Sequence, residues 1–356
     1  MKGTLRSAGR RATLRALGAT ALTILLGTAA EAAAPPPSPV TPELIEAAKK
    51  EGKVVFYTAM DVQVAAGLGK AFEAKYPGIT AQVERSGAER IFQRVEQEYS
   101  ANIHAVDAID SSDVAHLLYW KEHGLLAAYV PEDVPRWPAS ARDADGFYAS
   151  NRATLSVVGY NTKLLKPEDA PKSYADLLDP KWSGKIVKAH PGYSGNIMTA
   201  TFELSHTLGW DYFKKLGQQH IMQVQSSTEP PKKLALGERP LMFDGNEYNA
   251  LLVKSQGAPV EIIYPSEGTP LVGGSAGVMK DAPHPNAGRL FINFLFSREG
   301  QQYLVDKGFL RSFHPDVKEP ADRVPLSKIK VLTADPVAQE KAIEEIKQKY
   351  AEYFGT

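Results

Sequence analysis

The feature that most constrains the fold is a regular alternation of short apolar segments with longer amphipathic ones between residues 53 and 123. The run Lys53–Thr58 is rich in β-branched and aromatic residues and predicts a strand, whereas Val62–Tyr76 has the apolar spacing of a helix. Short strands that alternate with helices favour a parallel sheet with crossover helices, whose ligands bind beyond the carboxyl ends of the strands. The other elements predicted in this series are strands Ile79–Glu84 and Ala105–Asp110 and helices Ala88–Ser100 and Val114–His123.

A second series of strands and helices begins after a stretch rich in proline and aromatic residues, Val130–Phe147. A long predicted strand, Ala153–Tyr160, leads into this series, and the chain closes with a predicted helix, Pro336–Phe354. The chain is long enough for each series to bury a core of its own. The sequence therefore predicts an α/β protein of two lobes joined by extended segments.

The N-terminus has the pattern of an export signal. Five basic residues precede an apolar run at 16–30, and Ala30-Glu31-Ala32 then offers a small-x-small cleavage site. We therefore expect residues 1–34 to be a signal peptide, cleaved near Ala32–Ala34, and the protein to be periplasmic. The segment Gly9–Arg15 resembles a twin-arginine signal, with the general secretory route as the alternative.

Composition excludes several classes of function. The chain has no cysteine, so it has no disulfide, no lipidated N-terminal cysteine, no zinc–thiolate site and no thiol nucleophile. Its 41 basic and 41 acidic residues balance, but the first 34 residues hold five basic and one acidic residue, which leaves the remainder near −4. A mildly acidic surface argues against a nucleic-acid partner.

Segments along nearly the whole exported part resemble bacterial extracellular solute-binding proteins, in particular the subgroup that includes ferric-iron binders. The segments that carry this resemblance are Val54–Thr58, Leu68–Ile79, Arg85–Glu89, Val106–Asp113, Tyr160–Leu165, Tyr264–Thr269, Ala282–Ala287 and Phe294–Gly300.

The resemblance implies a two-lobed periplasmic-binding-protein fold of type II, with a ligand cleft between lobes joined by hinge strands. It also implies a monomer that closes on a small molecule and delivers it to an ABC permease and its ATPase, without catalysis. The chain carries no phosphate-binding G-x-x-x-x-G-K-[ST] motif, so that ATPase is a separate chain. The expected ranges are 35–150 for the first part of lobe 1, 151–268 for lobe 2, and 269–356 for the return to lobe 1 with the C-terminal helices.

One hypothesis for the ligand is a small organic anion or zwitterion, such as a phosphonate, a phosphate ester or an amino acid. The segment Ser194-Gly195-Asn196 opens a predicted helix, whose N-terminus attracts anionic oxygens. Two nearby carboxylates, Asp244 and Glu247, favour an amine on the same ligand. The residues predicted to bind it are Tyr57, Arg85, Ser111, Ser112, Ser194, Gly195, Asn196, Asp244, Glu247 and Tyr248.

The alternative is ferric iron, which prefers hard oxygen ligands. Iron-binding relatives carry adjacent tyrosines after a strand of the G-E-x-P type. In Gly237–Tyr248 only the second tyrosine is present, and Glu247 stands in place of the first. The ligands would be Tyr57, Tyr160, Glu247 and Tyr248, and iron would be cargo; no cofactor is expected.

A third alternative, an exported serine hydrolase, comes from Gly273–Gly277, which matches G-x-S-x-G with Ser275 as the nucleophile. That motif requires a strand–turn–helix context. Here the segment predicts a strand, and Pro283 follows it. The pattern therefore disfavours an enzyme.

Overall fold

A computed structural model describes residues 34–355. Local signals explain where its first helices begin and end. Thr41 caps the first helix by accepting the N–H of Leu44 at 3.2 Å, with Pro42 at the first helical position. Gly52 ends that helix in the left-handed region, at φ 73°, which favours glycine. Asp113 caps a later helix by accepting the N–H of Ala115 at 3.1 Å.

The described residues contain eleven strands that belong to one continuous, curled sheet. The strands are β1 Lys53–Thr58, β2 Thr80–Arg85, β3 Ala108–Ser111, β4 Leu126–Ala127, β5 Tyr148–Asn161, β6 Ile186–Ala189, β7 Met222–Val224, β8 Leu241–Asn246, β9 Val260–Ile263, β10 Thr269–Met279 and β11 Val331–Leu332.

The α-helices of the described chain cover these strands. They are α1 Pro42–Glu51, α2 Val62–Lys75, α3 Ala88–Ser100, α4 Val114–Glu122, α5 Gly195–Leu208, α6 Trp210–Gly217, α7 Glu229–Ala235, α8 Glu247–Ser255, α9 Pro285–Phe296, α10 Arg298–Asp306 and α11 Pro336–Phe354.

The strand order is β2-β1-β3-β10-β5-β8-β6-β7. Strand β1 pairs in parallel with β2 and β3, and β6 pairs in parallel with β7 and β8. The two long strands β5 and β10 lie between these groups and pair antiparallel with each other; β10 also pairs antiparallel with β3, and β5 with β8. Two parallel groups joined by a long antiparallel pair are the two-lobed α/β arrangement that the sequence predicted.

Each parallel group has its own buried apolar residues. Phe56, Phe72 and Phe291 belong to the core around β1, whereas Ile186 and Phe243 belong to the core around β6. We call the part built on β1–β3 the first lobe, the part built on β6–β8 the second lobe, and β5 with β10 the hinge strands. The exact lobe ranges 35–150, 151–268 and 269–356 stay a prediction.

The last helix, α11, does not pack where we expected. Tyr353 and Phe354 pack on the core of the second lobe, and Ile346 is buried beside Met198 and Phe202 of α5. The apolar side chains of the C-terminal helix therefore pack on the second lobe, whereas the sequence led us to expect this helix with the first lobe.

The predicted export signal lies outside the described residues, except for Ala34. Among the helices that the structure describes, none combines the length and the apolar character needed to cross a membrane.

Candidate functional site

The carboxyl ends of β1, β2 and β3 face the ends of β6, β7 and β8 across a cleft between the lobes. Direct hydrogen bonds cross it. Arg85 Nη2 donates to Ser226 Oγ at 2.9 Å, Gln256 Nε2 donates to Gln63 Oε1 at 3.3 Å, and the N–H of Asp61 donates to Tyr248 Oη at 3.1 Å. The cleft is therefore closed in this structure.

The charge of Arg85 is not neutralised by an acid of the protein. This partly buried guanidinium ends β2, and its Nε donates to the carbonyl of Met60 at 3.3 Å. Its other partner is the neutral hydroxyl of Ser226, and no Asp or Glu of residues 34–355 forms an ion pair with it. A guanidinium between two lobes without a carboxylate partner is suited to an anionic ligand.

A second arginine lies below it on the hinge strand β5. Arg152, 3% exposed, forms a buried ion pair with Asp110, whose other oxygen accepts from Thr58 Oγ1 at 2.6 Å and from the N–H of Ala59 at 3.1 Å. Burial lowers the pKa of Arg152 to about 10, and the positive charge of Arg85 acts in the same direction. The pair fixes the end of β1 to the hinge, so we assign it a positioning role.

A carboxylate at the cleft, Asp61, is the N-cap residue of α2 and is 2% exposed. Its Oδ1 caps α2 by accepting the N–H of Gln63 at 3.0 Å. Its Oδ2 lies 3.3 Å from Lys232 Nζ and 3.4 Å from Asn249 Nδ2. Because the Lys232 side chain is half exposed, this ion pair across the cleft is weak and open to exchange.

The N-terminus of α5 touches the first lobe. Ser194 is the N-cap residue but its side chain makes no capping hydrogen bond. A Cβ added to Gly195 would lie 2.6 Å from the N of Asp113 and 2.7 Å from the carbonyl carbon of Ser112, so only glycine allows this approach. Asn196 donates to Asn246 Oδ1 at 3.1 Å, and its own Oδ1 is buried without a hydrogen-bond partner.

Several predicted ligand residues thus lie at the cleft: Arg85, Ser112, Ser194, Gly195, Asn196 and Tyr248. Their contact with a ligand stays a prediction. Ser111 is close by but fully buried, and its Oγ is occupied by His116 Nδ1 at 2.9 Å and by the N–H of Asp113 at 3.1 Å. Its predicted role as a direct donor to the ligand is therefore wrong.

Tyr57 was also wrongly placed in the cleft. Its ring packs with Ile91 and Val95 of α3, its hydroxyl donates to Glu98 at 3.1 Å, and the guanidinium of Arg94 lies 4.1 Å from its ring centre. Burial first, and then the charge of Glu98, raise the pKa of this phenol well above its ordinary value. Adjacent residues of a strand point to opposite faces of the sheet. Because Tyr57 points toward α3, its neighbour Thr58 points the other way and bonds Asp110.

The two carboxylates expected to hold a ligand amine have other partners. Asp244 pairs with the buried Lys188 at 2.9 Å and accepts the N–H of Ala189 at 2.8 Å. Glu247 is fully buried and accepts from Arg311, Arg323 and the hydroxyl of Tyr264 at 2.6–2.9 Å. Both predictions were wrong, because these acids are already neutralised inside the protein.

The proposed ferric ligands do not come together. Tyr57 bonds Glu98, Glu247 bonds two arginines, and Tyr160 belongs to the core of the second lobe. Tyr248 alone of the four reaches the cleft, where burial raises the pKa of its phenol. The predicted four-residue iron site is therefore wrong.

The hydrolase motif is not a nucleophile elbow. Ser275 lies within β10, and its Oγ is 3.4 Å from Ser150 Oγ. His284, the histidine that follows it, bonds Asp107 at 3.0 Å rather than Ser275. Ser275 therefore has neither the turn nor the base that the hydrolase hypothesis requires.

Sequence reasoning missed Asp61, Ser226 and Lys232. A signal for the first two was present, since each follows a strand end at the edge where the ligand is expected. Lys232 carried no such signal.

Residues 106–337, well over half of the chain, match the family model described as bacterial extracellular solute-binding protein. The chain belongs to this family. Periplasmic binding proteins of ABC transporters bind small ligands and work with permease and ATPase components, and the family acts in substrate binding and transport.

Named relatives of this solute-binding protein differ in what their names say they bind. Iron uptake protein A1 of Synechocystis is 25% identical over 250 residues, or 65% of this chain and 68% of the relative. A putative 2-aminoethylphosphonate-binding periplasmic protein of Salmonella typhi is 29% identical over 171 residues, which are 45% of this chain and 49% of the relative.

A solved structure with the same fold matches this chain over almost the whole length of the solved protein. The periplasmic binding protein AfuA from Actinobacillus pleuropneumoniae, with fructose-6-phosphate bound, superposes with a TM-score of 0.76 and 25% identity. The match covers 85% of this chain and 99% of that one. The family and the two-lobed fold are thus established, and the relatives do not share one ligand.

Proposed function

We propose that this protein captures a small organic anion or zwitterion, of the phosphonate, phosphate-ester or amino-acid class, for an ABC importer of the inner membrane. The observation that carries the proposal is Arg85, a guanidinium in the closed cleft with no carboxylate partner among the described residues. A relative named for 2-aminoethylphosphonate and a similar structure with fructose-6-phosphate bound support this ligand class.

The geometry supports one residue for each end of a zwitterion. Arg85 and the neighbouring hydroxyl of Ser226 suit the anionic oxygens, whereas the buried Oδ1 of Asn196, an acceptor without a partner, suits an N–H or O–H of the ligand. Asp61 suits an amine, which would replace the half-exposed Lys232 at 3.3 Å. Asp61 thus takes the role that the sequence suggested for Asp244 and Glu247.

The protein acts, under this proposal, as a periplasmic monomer without catalysis, exported by the signal in residues 1–34. Ser275, the candidate nucleophile, has no base beside it, which argues against the serine-hydrolase alternative. Light scattering tests the monomer, and N-terminal sequencing of the periplasmic fraction tests the cleavage near Ala32–Ala34.

Ferric iron is kept as the alternative ligand because one relative is named for iron uptake. It would require an oxygen set other than the predicted one, since only Tyr248 of that set reaches the cleft.

Titration calorimetry with 2-aminoethylphosphonate and fructose 6-phosphate tests the proposal. Arg85→Gln removes one charge-assisted contact, and we expect affinity to fall about 10- to 100-fold, the equivalent of roughly 1.5–3 kcal/mol. Arg90→Gln is the matched control, because the exposed Arg90 also reaches across to the amide of Gln225. Equal affinity in the wild type and Arg85→Gln, or no binding of either compound by the wild type, would refute the proposal.

A further inference from the structure

A cavity of about 490 Å³ lies beside the hinge strands. Both hinge strands border it, through Ser150 and Arg152 of β5 and Leu271–Ser275 of β10. Its volume falls within the range of small-molecule sites, about 300–1,000 Å³. Neither Arg85 nor Asp61 lines it.

The wall between this cavity and the cleft is the contact of Gly195 with Ser112 and Asp113. The backbones approach so closely there that a Cβ on Gly195 would lie 2.6 Å from the N of Asp113. Ser112 lines the cavity, whereas Asp113 and Gly195 line a smaller pocket at the cleft mouth. The contact of Gly195 with Ser112 therefore lies between the residues that line the hinge cavity and those that line the smaller pocket.

The charged side chains that line the cavity are all basic. The lining includes two arginines, Arg142 and Arg152, and no Asp, Glu, Lys or His. Arg152 is neutralised by Asp110, but the exposed guanidinium of Arg142 makes no hydrogen bond or ion pair with another residue of 34–355. Its neighbour Asp143 is already paired with Lys121 at 2.7 Å.

Acids near the cavity do not offset Arg142. Burial raises the pKa of Glu203, one turn beyond Thr199 on α5, to about 9, so this acid is neutral at pH 7. Asp113 accepts the N–H of Ala115, and Asp335 accepts the N–H of Ala338 as the cap of α11.

The remaining lining is mixed, with more apolar than polar surface. The hydroxyls of Ser112, Ser140, Thr199 and Thr333 face it without a side-chain hydrogen bond inside the described chain. Val114, Leu271 and Phe313 supply apolar surface. Such a lining fits a ligand with one anionic group and an apolar body, since guanidinium pairs with carboxylate or phosphate oxygens and apolar walls favour hydrocarbon.

The cavity also touches both lobes. The turn Ala139–Ala141 packs on the first core, whereas Thr199 belongs to α5, and Pro336 and Gln339 belong to α11, both packed on the second lobe. A molecule that contacts both sides at once binds the closed arrangement more tightly than an open one, and so shifts the equilibrium toward closure.

We propose that the hinge cavity is a second ligand site, which takes a small organic anion with an apolar body through Arg142 and strengthens closure of the cleft. Occupation of the two sites is then mutually reinforcing, because coupling between two binding equilibria is reciprocal.

Phenyl phosphate is the probe that tests the site, by titration calorimetry on the purified full-length protein. We expect a saturable binding event that Arg142→Gln weakens at least tenfold and that persists in Arg85→Gln, because that variant removes only the binding of this phosphate ester at the cleft. Arg136→Gln is the matched control, an exposed arginine of the same region that pairs with Asp316. Circular dichroism confirms that the variants fold.

Three results would overturn the site: no binding of phenyl phosphate, unchanged binding by Arg142→Gln, or loss of all binding in Arg85→Gln. A separate titration tests the coupling. Saturating phenyl phosphate should raise the affinity for fructose 6-phosphate, and an unchanged affinity removes that part of the proposal. Failure of the cleft ligands alone, with binding of phenyl phosphate that depends on Arg142, would refute the proposed function and leave the hinge site standing.

Discussion

Two groups of charged residues, one behind α8 and one at the cleft, are organised in opposite ways. Glu247 is fully buried and accepts from two arginines and a tyrosine. Arg85, by contrast, meets a carbonyl and one hydroxyl and has no acidic partner among the described residues. The first arrangement leaves no capacity for a ligand, whereas the second keeps a charge available for one. Charge alone does not mark a binding residue; charge without an internal partner does.

The largest expected effect comes from breaking the paired group. Glu247→Ala leaves Arg323 without a carboxylate and Arg311, 1% exposed, with Glu319 alone, and removal of one member of a buried pair costs about 3–5 kcal/mol. Urea unfolding measures this loss. Glu299→Ala, which removes an exposed partner of Lys75, should cost less than about 1 kcal/mol. A loss for Glu247→Ala as small as that of the control would contradict the assignment.

Glu203, a buried acid without a charged partner, extends the comparison to the pH dependence of the free energy of unfolding. The folded-state pKa of Glu203 is about 9 because of burial, against an ordinary value of 4.5. Its contribution is therefore fully present below pH 4.5 and is lost as pH rises toward 9. Between pH 5 and pH 8.5 the wild type should lose about 2–4 kcal/mol of unfolding free energy relative to Glu203→Gln.

Unfolding curves at the two pH values measure that difference. The exposed Glu344 supplies the control, since Glu344→Gln should follow the wild-type pH profile. Parallel profiles for the wild type and Glu203→Gln would show that Glu203 is ionised in the folded protein.

Closure of the cleft depends on the contact at Gly195. In Gly195→Ala the new methyl group meets the backbone of Ser112 and Asp113, so the lobes cannot approach as closely. Overpacking costs about 1–3 kcal/mol, and because opening relieves it, we expect ligand affinity to fall roughly 5- to 150-fold with little change in thermal stability. Thr207→Ala, at the far end of α5, is the control. Unchanged affinity in Gly195→Ala would show that the ligand-bound cleft does not close on this contact.

The smallest effect is expected at Tyr57, which the sequence placed in the cleft. Tyr57→Phe removes the hydrogen bond to Glu98, worth about 0.5–1.5 kcal/mol of stability, and leaves ligand affinity unchanged. Calorimetry and urea unfolding measure the two quantities. A lower ligand affinity in Tyr57→Phe would show that Tyr57 belongs to the binding site after all.

The parts of this molecule that the sequence predicted depend on local patterns. The change between strand and helix periodicity is local, so both α/β series were predicted. Arg85 was placed at the cleft because it follows a strand end, and Ser194–Asn196 because they open a helix. The errors came from two sources. A shift of one residue along β1 separates Tyr57, which faces α3, from Thr58, which faces Asp110.

The second source of error is distance along the chain. Glu247 is neutralised by Arg311, 64 residues further on, and Tyr248 meets Asp61, 187 residues before it. No local pattern contains such partners, so an acid near the cleft could not be distinguished from an acid bound to arginine. The docking of α11 on the second lobe escaped prediction for the same reason.

The most direct test of the central claim, capture of an organic anion through Arg85, is one paired titration of the purified protein. Ferric citrate and 2-aminoethylphosphonate are added to separate samples, and the melting temperature and the visible absorption are recorded for each. We predict that the phosphonate raises the melting temperature, by the equivalent of about 2.7 kcal/mol at 100 times its dissociation constant, and that neither sample becomes coloured. A tyrosinate-to-iron absorption band at one iron per protein, with no shift from the phosphonate, would contradict the account.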